Sequence, residues 1–242
     1  MTGEADPLKT ILRIWLALTV VLLPVFLVTL NVRFLVNNLD LYLWGFEQNR
    51  VGVTTGLSPD ELRAVAEQFI EYFNSDQELL DIRVRRGVTD QPLFTEREIL
   101  HMRDVKELVL GFDRVRLLSG LLLLGFVGAS LLGARREGLV FIGDGLALGG
   151  ALTLGLFILG GLALLVGFDR LFLLFHLVSF RNDLWQLDPA QHNLIRLFPE
   201  PFWFSAALML AAFTTAQGML ALFLGLLLVR AGTRPQPASK GR

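Results

Sequence analysis

Three histidines and no cysteine bound the chemistry open to this 242-residue chain. His101 and His176 each sit among apolar neighbours, in LHMRDV and LFHLVS. Imidazole is the side chain best suited to moving a proton near neutral pH. Asp104 follows His101 by one turn, where it can orient an imidazole or pair with Arg103 or Lys106. Asn182, Asp183 and Trp185 follow His176, and His192 comes later in LDPAQHN, whose Asp-Pro pair reads as a turn starter. The absence of cysteine excludes thiolate nucleophiles, thiolate metal sites and disulfides. Ser179, one turn beyond His176, lacks the Gly-rich elbow that an acyl-enzyme serine needs. A metal shell drawn from His101, Asp104, His176, Asp183 and His192 has no HExxH-like spacing behind it, so no metal or cofactor is expected. Two readings of His101 and His176 remain, proton transfer by the imidazoles and a structural role as hydrogen-bonded residues at the membrane interface.

The elements that must position those residues are membrane helices. Hydrophobic residues make up 53% of the chain, concentrated in uncharged runs at about 12–30, 117–134, 139–167 and 204–229. The first run follows Lys9 and Arg13, has no small-residue cleavage site after it, and reads as an uncleaved anchor kinked near Pro24. Small residues recur every fourth position at Gly125, Ala129 and Gly133, at Gly145, Gly149 and Thr153, and at Ala207, Ala211 and Thr215. Such faces let helix backbones approach closely. Lys9, Arg13, Arg135, Arg136, Arg230, Arg234, Lys240 and Arg242 would all flank one side of a four-span bundle, which the positive-inside bias makes the cytoplasm. A net charge of −1 gives no case for nucleic acid. The tail AGTRPQPASKGR reads as disordered.

Residues 31–110 carry nine Lys/Arg against fourteen Asp/Glu and must lie outside the hydrocarbon. Ser58-Pro59-Asp60-Glu61 is a capping box, followed by Leu62, Val65, Ala66, Phe69, Ile70 and Phe73 at helical spacing. LDIRV at 80–84 alternates like a strand, with 51–54 as its expected partner and 87–92 as a turn. Thr95-Glu96-Arg97-Glu98 is a second capping box, opening the helix of His101, with Gly111 as a break point before the second span. Arginines 83, 85, 86, 97, 103, 170, 181 and 196 form a solvated face that can meet lipid phosphate. Trp185, Phe198, Phe202 and Trp203 read as interfacial anchors.

The expected fold is therefore an all-α membrane protein with four transmembrane helices and cytoplasmic N and C termini. A small, mainly helical extracytoplasmic domain would separate spans 1 and 2, and an interfacial segment spans 3 and 4. The division is 1–30, 31–110, 111–167, 168–203, 204–229 and 230–242.

Two segments, REILHMRDVK at 97–106 and FHLVSFRNDLWQLDPAQHNLIRLFPEPFW at 175–203, in a four-span chain, resemble the bacterial lipoprotein intramolecular transacylase (Lit) family. The resemblance implies a cell-membrane enzyme with its site on the outer face. Its substrate would be a diacylated bacterial lipoprotein, whose sn-2 ester-linked acyl chain moves onto the N-terminal cysteine α-amine to leave a lyso form. It carries two functional histidines onto His101 and His176, with Asp104, Lys106, Asn182, Asp183 and Trp185 as orienting or substrate-contacting candidates. His101 is expected as general base and His176 as proton donor or oxyanion stabiliser, at a water-bridged distance from each other. His192 stands where the family pattern has an aspartate. No cofactor is implied, because amine and ester belong to one molecule. The alternative is a non-enzymatic envelope sensor or scaffold, for which the histidines would be incidental.

Overall fold

The computed structural model describes residues 7–86 and 89–234. In chain order it contains α1 (Pro7–Val36), α2 (Leu39–Gln48), α3 (Val51–Thr55), α4 (Pro59–Asn74), β1 (Arg83–Arg86), β2 (Thr89–Pro92), α5 (Glu96–Ser179), α6 (Asn193–Leu197) and α7 (Glu200–Thr233). Among the described residues, four helical stretches are long and apolar enough to cross a membrane: Arg13–Val36, Glu96–Leu132, Arg136–Ser179 and Glu200–Thr233. The chain is an all-α, multi-pass membrane protein. The end of the C-terminal tail lies outside the described residues.

The second and third spans both belong to α5, whose two ends return to each other. His101 and His176 stand 75 positions apart in sequence, which is about 110 Å along a straight helix, yet their ring centroids are separated by 6.4 Å. The helical hairpin closes where the backbone of Gly138 abuts the Ser130 carbonyl.

The helices exceed the apolar runs, and two expected boundaries are absent. Helix continues through Gly111, and the segment expected to leave the membrane at Phe168 stays helical to Ser179. Single glycines cost a helix about 1 kcal/mol, which surrounding packing absorbs. The strand pairing differs too. β1 pairs antiparallel with β2, Arg83 facing Pro92 and Arg86 facing Thr89, so the residues expected to form a turn form a strand. The expected partner at 51–54 is helical instead. Arg50 enters α3 at φ 51° and Gly56 leaves it at φ 73°, both left-handed, a conformation that favours glycine at the exit.

The chain divides into two compact units. The first contains residues 1–30, 114–160 and 212–242, and close backbone contact holds it together. A Cβ added at Gly150 would lie 2.6 Å from both the Gly218 carbonyl and the Leu222 amide. One added at Gly143 would lie 2.8 Å from the Gly225 carbonyl. Gly145 and Gly149 face Thr19 and Leu23 of α1. The small-residue face of α7 therefore uses Gly218 and Gly225, beyond the expected Ala207–Thr215 stripe.

The second unit contains residues 31–113 and 161–211. Its core takes the predicted stripe of α4, Leu62, Val65, Ala66, Phe69 and Phe73, together with Tyr72. Phe198 is its hub, with ring centroids 5.1 Å from Phe69, 5.5 Å from Phe46 and 5.1 Å from Phe202. Phe198 and Phe202, expected as anchors at a membrane surface, are instead core residues at 8% and 5% exposure. Burial pushes the Tyr72 phenol up to about 12, and its hydroxyl donates to the Glu78 carbonyl at 3.0 Å. Arg33 and Asp113 pair at 3.9 Å, giving two charges near the helix entries a mutual partner.

Gly150→Leu is expected to lower the thermal midpoint of the detergent-solubilised protein by several degrees, as overpacking costs about 1–3 kcal/mol. Gly155→Leu, whose Cβ meets nothing within 4 Å, serves as the control that leaves the midpoint in place.

Candidate functional site

The first two turns of α5 present Arg97, His101 and Asp104 on one face, by i−4, i, i+3 spacing. Opposite them run the last two turns of the same helix, with Phe172 and His176, followed by the loop from Phe180 to His192. Two polar bridges clasp that loop to the first turns. Asn182 Nδ2 donates to Asp104 Oδ2 at 2.7 Å, and Arg97 donates to the Asp183 carbonyl while its guanidinium lies 3.6 Å from the Asp183 carboxylate. His101 lies between the two bridges in sequence and is 7% exposed.

The two imidazoles face each other at 6.4 Å between centroids, their planes 29° apart. That spacing is on the scale of a one-water bridge. Aromatic rings enclose them. Phe180 meets His101 edge-on at 5.1 Å, while Phe172 and Trp185 flank His176 at 4.4 and 5.0 Å. The hydrogen bonds of the two rings differ. His176 Nδ1 lies 2.7 Å from the Phe172 carbonyl, which can only accept, so Nδ1 carries the proton and Nε2 holds the lone pair of the neutral ring. His101 Nδ1 is buried and has no hydrogen-bond partner among the described residues. A groove of about 430 Å³ reaches His176, Phe172 and Trp185, and His101 lies outside its lining.

The remaining candidates have structural partners. Lys106, 6% exposed, donates to the carbonyls of Ser75 at 2.7 Å and Gln77 at 2.6 Å and sits 4.4 Å from the Tyr72 ring centre. It ties down the chain leaving α4. His192 closes the Asp188 turn, its Nδ1 2.9 Å from the Asp188 amide. Among the described residues no group of three or more His, Asp or Glu is placed to hold a metal ion.

Glu98 was legible as half of a capping box, but its second role was not. Fully buried, it accepts from the Thr95 amide and hydroxyl at 2.7 and 2.8 Å through one oxygen and from the Leu194 amide at 2.6 Å through the other. Asn193 adds a bond to the Leu93 carbonyl at 2.7 Å. One carboxylate thus joins the starts of α5 and α6, 96 positions apart.

Four membrane-spanning helices, with two imidazoles facing each other and a groove that reaches one of them, describe a multi-pass membrane protein. The family model for the lipoprotein intramolecular transacylase Lit matches residues 17–203, and the chain belongs to that family of membrane enzymes. It is similar to an uncharacterised protein of Aquifex aeolicus, 28% identical over 173 residues, which cover 71% of this chain and 74% of that one. The solved structure of the integral membrane transacylase Lit from Bacillus cereus shares the fold, with a TM-score of 0.76 at 20% identity over 92% of this chain and 98% of that one. A histidine-to-arginine variant of the same Bacillus cereus protein superposes with a TM-score of 0.71 at 21% identity, over 92% of this chain and 94% of that one.

Removing the Glu98 carboxylate leaves the buried Leu194 amide without its acceptor, at a cost of about 1–3 kcal/mol, and breaks the capping bonds from the exposed Thr95, whose donors turn to water. Glu98→Ala is expected to lower the thermal midpoint and to make the 180–192 loop cleavable by trypsin at Arg181. A variant as stable and protease-resistant as the parent would show that the bridge is dispensable.

Proposed function

We propose that the chain moves the sn-2 acyl group of a diacylglyceryl-modified lipoprotein onto the α-amine of its N-terminal cysteine, leaving the lyso form. The observation that carries the reading is the approach of His101 and His176, in a member of this family, beside a groove that reaches one of them. The reaction needs a base for the proton of the attacking amine and a proton donor for the departing alkoxide. As the nitrogen bonds to the ester carbonyl, the carbon–oxygen bond breaks, and the amine's proton ends on the glyceryl oxygen.

The hydrogen bonds favour a division of labour opposite to the one expected from sequence. His176, with its Nδ1–H tied to the Phe172 carbonyl, directs a lone pair at Nε2 and suits the general base. His101, buried and with a ring nitrogen unpartnered, suits the stabiliser of the oxyanion and leaving oxygen. Asp104, Asn182, Asp183 and Trp185 then act as positioning residues around the pair, and Lys106 as a structural anchor. Basic residues at Arg13, Arg136, Arg230 and Arg234 support cytoplasmic termini and a site on the outer face.

His101→Ala and His176→Ala are each expected to reduce lyso-lipopeptide formation by about 10²–10⁴-fold, the usual worth of a general acid or base. Mass spectrometry of the tryptic N-terminal lipopeptide, from cells expressing variants inserted at parental levels, reads the acyl position. Parental N-acylation in both variants would rule out the two-histidine mechanism.

A further inference from the structure

The groove beside His176 is negatively charged. Its lining includes Asp169 and Asp188 and no lysine or arginine. Asp188 is occupied by its own turn, Oδ1 accepting from the Ala190 amide at 2.8 Å and Oδ2 from the Gln191 side chain at 3.0 Å. Asp169 is different: among the described residues its carboxylate has no hydrogen-bond or ion-pair partner. It shares a helix stripe with Phe172 and His176 at i, i+3 and i+7, which puts its Cα about 10 Å from that of His176 along the axis. An exposed, unpaired carboxylate in an otherwise largely apolar groove, two turns from a candidate base, calls for a cation.

The substrate in the transacylation reading, on which this inference rests, supplies one. An α-amino group titrates near 8 and is an ammonium for most molecules at neutral pH. The phospholipids around the enzyme present the same diacylglyceryl ester but carry an anionic phosphate where the lipoprotein carries its cysteine. A groove that read only acyl chains and ester would not distinguish the two. We propose that Asp169 is the specificity-determining residue of the groove, receiving the substrate's α-ammonium and disfavouring lipid phosphate. Loss of the ammonium proton ends the attraction, so the carboxylate that captures the cation does not restrain the neutral amine that attacks.

The test uses the full-length protein in mixed micelles and two synthetic dialkyl-ether analogues of the lipopeptide, which have no ester to transfer. One keeps the free α-amine and the other is N-acetylated. The parent is expected to bind the free amine roughly fivefold more tightly, the scale of a half-exposed ion pair, and the preference should shrink as salt is added. Asp169→Asn should abolish the preference and Asp169→Glu restore it. With the diester substrate, Asp169→Asn should raise KM by a similar factor with a smaller change in kcat, and phosphatidylglycerol should inhibit it more strongly than the parent. Equal binding of the two analogues by the parent would overturn the assignment, even if Asp169→Asn did not fold. An unchanged KM and unchanged lipid inhibition in a folded Asp169→Asn variant would overturn it as well. If the parent fails to convert the diester at all, the transacylation reading falls, while the ether-analogue preference still decides whether Asp169 reads the ammonium.

Discussion

A single buried carboxylate underlies the geometry of the second unit. Glu98 has no exposed surface, and its oxygens are shared between the first turn of α5 and the first turn of α6. Helix N-termini present unsatisfied N–H groups and a partial positive charge, so one anion at two such ends satisfies donors that neither helix can pair internally. The effect on the site is positional. His101 lies one turn further along α5, and α6 leads into Phe198, the ring around which Tyr42, Phe46, Phe69 and Phe202 gather. The polar tie and the aromatic core thus fix the same two stretches of chain from opposite ends.

Around the imidazoles the chain uses polar contacts at the edges and aromatic rings in the middle. Asp104 with Asn182, and Arg97 with Asp183, hold the loop, while Phe172, Phe180 and Trp185 touch the rings themselves. Aromatic walls offer few competing hydrogen-bond partners, which leaves Nε2 of His176 available for a reacting group while its Nδ1 is held by the Phe172 carbonyl. Among the described residues, neither His101 nor His176 has a carboxylate bonded to its ring. This separates the pair from a Ser-His-Asp relay, in which an aspartate sets the tautomer.

Much of this was readable from residue order. The four apolar runs, the amphipathic stripe of α4 and both capping boxes follow from local spacing, and local rules govern them. The pairing of His101 with His176 was legible only through the combined resemblance of two distant segments, since no spacing rule relates residues on the two arms of a long hairpin. Three features escaped. Helix continuing past Asp169 and Arg170 looked like an exit from the membrane, because hydropathy marks where apolar sequence stops and not where helical hydrogen bonding stops. The Leu194 bond of Glu98 depends on tertiary packing, and the β1–β2 hairpin was hidden because Thr89–Pro92 has the composition of a turn. Phe198 and Phe202 were misplaced for a related reason: an aromatic residue near a span serves an interface or a core equally well, and the enclosing helices decide which.

The carbonyl of Phe172 gives the site a property of a different kind. It is a main-chain atom, so the tautomer of His176 is written into the backbone and does not depend on which side chain occupies position 172. No single substitution there deletes the acceptor, whereas a side-chain partner could be lost by one base change. Drift in the residues around the site can therefore alter packing and substrate fit while the orientation of this ring is inherited unchanged for as long as the helix itself persists.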